Sequence, residues 1–257
     1  MAIYAYKDPQ RRDVIYASDA ISKNRETRYY CPNPSCDAKL YVCAVDGSHR
    51  AYFRATKQQY GHTNGCPYAS PNGCSPDDFN EAAFDFSDAM DRLMQETLNR
   101  GKKEATATDD IEKSDSPKKD SSEKKPPKTV RQIYFLCKSV PEKDTYASCE
   151  IGSMLLDERS IYRYPKGCYG KRIVEATASR RFYDNDAKKI FLRAPVNNYT
   201  YTFTLEFEGE SIYRLIRDEI YNNREKLLVV AGDWKSDNAF NHFSSKITSR
   251  KQFVVIK

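Results

Sequence analysis

The sequence predicts an α+β fold in two parts, a small module stapled by cysteines and a histidine and a larger β-rich unit with one helix. Three observations carry that reading. Cys31 and Cys36 pair across "CPNPSC", and His62 and Cys66 pair across "HTNGC", both at short ligand spacing. Residues 101–130, "GKKEATATDDIEKSDSPKKDSSEKKPPKTV", hold almost no large apolar side chain, so burial there cannot offset the entropy of ordering. Beyond them, "NYTYTFTLEFE" alternates apolar and polar residues, the period of a half-buried strand. The expected boundaries are a module over 1–100, a flexible, disordered charged linker over 101–130 and a β-rich unit over 131–257. A chain of 257 residues is long enough for two small cores.

In the first part, "AIYAY" and "DVIYA" are short strand signals separated by the turn-like "KDPQRR". "KLYVCAVDGSHRAYFRA" is a hairpin by its chemistry, two β-rich runs flanking Asp46-Gly47. Ser75, Pro76 and Asp78 then make a helix start, and Phe79, Ala83, Phe86, Met90, Leu93 and Thr97 follow helical spacing up to Gly101. That single apolar face is expected to pack on the hairpin.

In the second part, "RQIYFLCKSV" is a strand candidate, and residues 145–165 suggest a short helix and a loop. "KRIVEATASRRFYDNDAKKIFLRAP" suggests two strands turning at Asp184-Asn185-Asp186. Tyr199, Tyr201, Phe203, Leu205 and Phe207 mark one face of the next strand. Ile212, Leu215, Ile216 and Ile220 mark a helix, after which "KLLVVAGDW" and "KQFVVIK" return to strand. Strands, one helix, then two strands is the order of an OB-like β-barrel, whose helix falls between its third and fourth strands.

Composition excludes several classes. No stretch approaches the ~20 apolar residues of a membrane span, and "MAIYAYKDPQRRD" lacks the apolar core of a secretory signal. A cytoplasmic, reducing location is expected, where disulfides are disfavoured. Five of the eight cysteines nevertheless lie between Cys31 and Cys74, which points to a metal. Zn²⁺ takes thiolate and imidazole in a tetrahedron, commonly from two short-spaced pairs. One structural zinc per chain, held by Cys31, Cys36, His62 and Cys66, is therefore expected. Cys74 competes with His62 for the fourth place. Cys43 suits a buried strand position, His49 an exposed one, and Cys137, Cys149 and Cys168 lack ligand spacing. Four protein ligands leave no open position for a catalytic zinc.

The run "IYAYKD…VIYASDA…RYYCPNPSCDAKLYV…GSHRAYFRA…HTNGCPY" resembles the N-terminal zinc-finger-like region of the competence protein CoiA-like family, over about residues 1–70. In that family the knuckle is usually a tighter Cys-x2-Cys, and Tyr52 and Ala55 fall where its histidines would be. Bacterial DNA handling, in a mobile-element or defence setting, is what the resemblance implies.

Enzyme signatures are thin. A metal-dependent nuclease needs strand carboxylates followed by a lysine, and the nearest pair, Glu206 and Glu208, lacks that lysine and suits a solvated edge. No Gly-rich phosphate loop occurs. Binding to nucleic acid, single-stranded above all, fits the second part better, since such sites combine aromatic faces with cations. The expected site residues are Arg180, Arg181, Phe182 and Tyr183 opposite Lys188 and Lys189 across the turn, and Trp234, Lys235, Phe240, His242, Phe243 and Lys246 on the connection after the fourth strand. The formal charge of +6 is compatible with a nucleic-acid partner but does not single one out, since many soluble proteins of this size carry as much. A protein-interaction adaptor, both parts docking on a protein partner, is the alternative. Salt dependence separates the two, because phosphate contacts weaken steeply with salt.

Overall fold

The computed structural model describes residues 2–20, 26–45, 51–64, 66–69, 74, 76–95, 124–161, 167–194, 201–237 and 239–256. Most of the expected linker, 101–123, lies outside the described residues, as do the Asp46-Gly47 turn, His49, Ser75, Thr97, Tyr199 and Gly101.

The architecture is mixed α+β. Five short strands form the first sheet: β1 (Tyr4–Tyr6), β2 (Val14–Tyr16), β3 (Tyr29–Tyr30), β4 (Lys39–Cys43) and β5 (Tyr52–Arg54), in the order β2-β1-β3-β4-β5. Both sequence-predicted pairs form, β1 with β2 and β4 with β5, each antiparallel. A one-turn helix, α1 (Ala17–Ala20), follows β2. Tyr4, Ile15, Tyr29, Leu40, Val42 and Phe53 close a small core together with Cys31, Cys36 and Cys66.

The helix α2 (Phe86–Met94) begins later than Ser75. Two short 3₁₀ turns, Pro76–Asp78 and Glu81–Ala83, come first, and Asp85 caps the helix by accepting from the Asp88 amide. Nor does α2 pack on the hairpin. Ala89, Met90 and Leu93 join a second core containing Val229, Ala231 and Ile256.

The stretch read as a strand, "RQIYFLCKSV", is the helix α3 (Val130–Ser139), closed by a capping box between Thr129 and Gln132. Ile133 to Ser139 are all buried. A helix surrounded by protein loses its amphipathic period and reads like a buried strand. Residues 145–156 hold β6 (Thr145–Tyr146), β7 (Cys149–Glu150), the one-turn α4 (Ile151–Met154) and β8 (Leu155–Leu156).

The second sheet adds β9 (Gly170–Asp184), β10 (Lys189–Arg193), β11 (Thr202–Glu206), β12 (Leu227–Ser236), β13 (His242–Lys246) and β14 (Phe253–Ile256), with the helix α5 (Glu210–Tyr221) between β11 and β12. The pairings close on themselves: β9 with β10, β10 with β11, β11 with β13, β13 with β12, and β12 back to β9. All are antiparallel except β11 with β13. Inside the ring lie Phe182, Phe203, Leu205, Leu228, Val230, Trp234 and Phe243. Two expectations need correction. His242–Lys246 is a strand and not part of a long loop, and "KQFVVIK" lies outside the ring, paired with β12. Leu215, placed on the buried side of α5, is exposed, and Tyr213 packs in the core. Gly232 answers a close approach between strands, since a Cβ there would come within 2.5 Å of Ser245 Oγ.

A buried ionic knot joins the two sheets. Lys138 Nζ lies 2.9 Å from Asp157, 3.0 Å from Glu158 and 3.0 Å from Glu175. The Tyr134 hydroxyl donates to Glu175 at 2.7 Å, and Arg159 pairs with Asp157 at 2.8 Å. From the core under the first sheet, the Tyr68 hydroxyl donates to Glu158 at 3.0 Å, and Arg159 donates to the hydroxyl of Tyr4 on β1 at 3.2 Å. Next to them the Ile3 amide bonds the Ser139 carbonyl at 3.0 Å.

Candidate metal centre and nucleic-acid face

The fold brings Cys31, Cys36, His62 and Cys66 together, with their ligand atoms within 4.8 Å of one another. The knuckle turns because the Cys36 amide bonds the Asn33 carbonyl, and the second pair turns because the Cys66 amide bonds the Thr63 carbonyl. A tetrahedral site with metal–sulfur bonds of about 2.3 Å and metal–nitrogen bonds of about 2.0–2.1 Å has edges of about 3.8 Å between sulfurs and about 3.5 Å between sulfur and nitrogen. Cys31 Sγ and Cys66 Sγ are 3.8 Å apart, and Cys36 Sγ is 3.5 Å from His62 Nδ1. The donor set therefore fits a tetrahedral ion such as Zn²⁺, and 3.8 Å is far too long for a disulfide. Cys74, the competitor for His62, packs with Phe79 and Phe84 in another core.

The electrostatics agree. Hydrogen bonding with Cys36 and Cys66 pushes the Cys31 thiol up, and the Cys31 and Cys66 contacts hold Cys36 down. Burial opposes a charged His62, but its bonds to Cys36 and Cys66 outweigh that and raise the ring to about 9. Such a crowd of thiols cannot ionise together without a cation among them.

Two further residues frame the site, and neither has a signal in the sequence. Asn33 donates its amide to Cys31 Sγ at 3.4 Å and its side-chain NH₂ to Cys66 Sγ at 3.5 Å. Arg11, at φ 58° in the β1–β2 turn, spreads its guanidinium over the knuckle. It donates to the carbonyls of Cys31 at 2.8 Å, Asn33 at 2.8 Å and Cys36 at 2.9 Å. Arg11→Ala is expected to weaken metal affinity about 10- to 100-fold, the usual cost of losing an outer-shell support. Competition with a metallochromic chelator measures this, and an unchanged affinity would remove Arg11 from the site.

Asp157, Glu158 and Glu175 also converge, but the Lys138 ammonium sits among them and takes the place of a cation. Cys137 and Cys168 are buried, and that burial pushes each thiol up to about 12. They are inert packing groups. Cys43 and Cys149 are half-buried.

The expected stacking residues fare less well. Trp234 is 1% exposed, donates Nε1–H to the Arg172 carbonyl at 3.1 Å and packs edge-on against Phe203. Phe182 and Phe243 are buried too. All three are core: residues of even number in β12 and of odd number in β13 point into the ring, and Phe182 of β9 packs in the same cluster. Phe240 is 87% exposed, Tyr183 is exposed, and Arg180, Arg181 and Lys235 are exposed. Lys188 and His242 are half-buried, and Lys246 is exposed but paired with Glu208 at 3.0 Å.

Strand register shows what the sequence reading passed over. Phe191 pairs with Thr204, Thr204 with Ser244, and Ser244 with Lys235, one row across four strands. The row on one side is Lys189, Glu206 and Lys246, and on the other Arg193, Thr202 and His242. Phe191 is half-buried and belongs to no core cluster among the described residues. Phe191 thus stands between a row of paired charges, Lys189 with Glu206, and a row that begins with the exposed Arg193.

No family model, curated protein or solved structure matches the chain. What fold and site define is a β module whose Cys/His cluster fits a metal ion, joined to a ring of five strands. No helix among the described residues is long and apolar enough to cross a membrane.

Proposed function

We propose that the protein is a nucleic-acid-binding accessory protein, with a structural zinc in its first sheet and an OB-type barrel in its second. The barrel reading is supported by the ring order, with its third and fifth strands parallel and its helix between the third and fourth. The observation that carries the function is the Phe191 row, because it lies on the face where such barrels take oligonucleotides. The resemblance of residues 1–70 to the CoiA-like family supports DNA as the partner. A nuclease is disfavoured, as Glu206 is paired with Lys189 at 2.9 Å and Glu208 with Lys246.

Phe191→Ala is expected to cost on the order of 1–3 kcal/mol in affinity for a single-stranded oligonucleotide, one lost base stack. Fluorescence anisotropy of a labelled oligonucleotide reads it. Tryptophan emission should stay unquenched, since Trp234 is internal. If the full-length protein shows no salt-sensitive affinity for any single strand, the reading fails. The adaptor reading would then lead, favoured by Leu215 and Tyr221, which are exposed on α5.

A further inference from the structure

Around the first sheet Lys7 pairs with Asp13 at 3.8 Å, whereas Arg28, Lys39, Arg54 and Lys57 make no ion pair among the described residues, and three of them rest on tyrosine rings. Lys39 Nζ lies 3.8 Å from the Tyr30 ring centre, Lys57 Nζ 5.0 Å from that of Tyr41, and the Arg28 guanidinium 5.0 Å from that of Tyr60.

The register makes these one surface. Tyr30 pairs directly with Lys39 across β3 and β4, and Tyr41 pairs with Arg54 across β4 and β5. Lys39 and Tyr41 are two apart on β4, hence on the same side. Lys57 and Tyr60 follow from the segment just after β5. A second observation is independent of charge. The Tyr41 hydroxyl is buried and has no hydrogen-bond partner, a cost that an acceptor brought by a ligand would offset. Cations resting on rings lose less freedom when they meet an anion, and their N–H groups stay available.

We infer that this face of the metal-stapled module is a second contact surface for nucleic acid, one that grips the phosphodiester backbone without reading bases. The inference rests on the nucleic-acid reading above but uses a different surface. Two surfaces on one chain raise the effective concentration of each for the same strand.

The test uses the full-length protein with its metal and a labelled single-stranded oligonucleotide, titrated over a salt series. Each phosphate contact contributes about 0.7 to the log–log salt slope for single strands. Lys39→Ala/Arg54→Ala/Lys57→Ala should therefore flatten the slope by about 2, with metal content unchanged. Lys57→Gln, which keeps the stem over Tyr41, serves if the triple variant loses metal, and should flatten the slope by about 0.7. Phe191→Ala should lower affinity and leave the slope alone. A wild-type slope in both basic-face variants, with Phe191→Ala still weakened, overturns the second surface and spares the barrel face. A flattened slope with Phe191→Ala indistinguishable from wild type supports the second surface and removes the barrel face. Absence of salt-sensitive binding in the unmodified protein overturns both.

Discussion

Replacing Cys66 with Ser is expected to release the metal and unfold the first sheet. The module has little else to hold it: five strands of two to five residues and a core of which Cys31, Cys36 and Cys66 are themselves a part. In small metal-stapled modules the binding free energy, about 10–16 kcal/mol for structural zinc in finger peptides, is folding free energy. Elemental analysis should fall from close to one equivalent of metal to almost none. Amide exchange should lose protection over β1 to β5 while β9 to β13 keep theirs. The damage should also reach the junction, because Tyr68, two residues after Cys66, bonds Glu158 there. Full metal in Cys66→Ser would overturn the ligand assignment. Cys74 lies in another core and is not positioned to substitute.

The second large effect is expected from Lys138→Met, about 3–5 kcal/mol of stability, the cost of removing one partner from a buried charge cluster. The Lys138 side chain is 1% exposed and answers Asp157, Glu158 and Glu175 together. Without the ammonium, buried carboxylates face one another with only Arg159 to balance them. Adding Glu175→Gln should recover part of the loss, and urea unfolding of the single and double variants measures both. A Lys138→Met protein as stable as wild type would mean the knot is dispensable.

The same cluster sets a pH dependence. Burial pushes the Glu175 carboxyl from an ordinary 4.5 up to about 8, with Lys138 opposing and Glu158 and Asp157 reinforcing the shift. The folded chain thus holds that proton more tightly than the unfolded one. Unfolding free energy should fall as pH rises from 4.5 to about 8. At the acid end the sign reverses. Burial works to raise Asp157, but Arg159 and Lys138 outweigh it and hold the carboxyl low, so its contribution is lost only as pH falls through that lowered value. Glu175→Gln should abolish the decline between 4.5 and about 8 and leave the acid limb.

Much of the molecule was legible in the chain, for local reasons. Short ligand pairs marked the cluster of Cys31, Cys36, His62 and Cys66, since tight turns bring each pair of donors close. Period-2 alternation marked β11, and spacing of 3.6 marked α5, because each buries one side. What tertiary structure alone decided depends on partners distant in sequence. Helix α3 is wrapped on all sides, so its apolar run carries no period to distinguish it from a strand. Helix α2 had a readable apolar face, but which sheet that face would cover was settled by the distant β9 and β12. Trp234 offered the chemistry of a stacking platform, yet the strand pairing turned it into the core and left the half-buried Phe191 on the outer row. Arg11, Asn33 and Lys138 are ordinary polar residues until the fold sets them against carbonyls, thiols and carboxylates far along the chain. Local periodicity fixes what a segment becomes, and long-range packing fixes what each side chain meets.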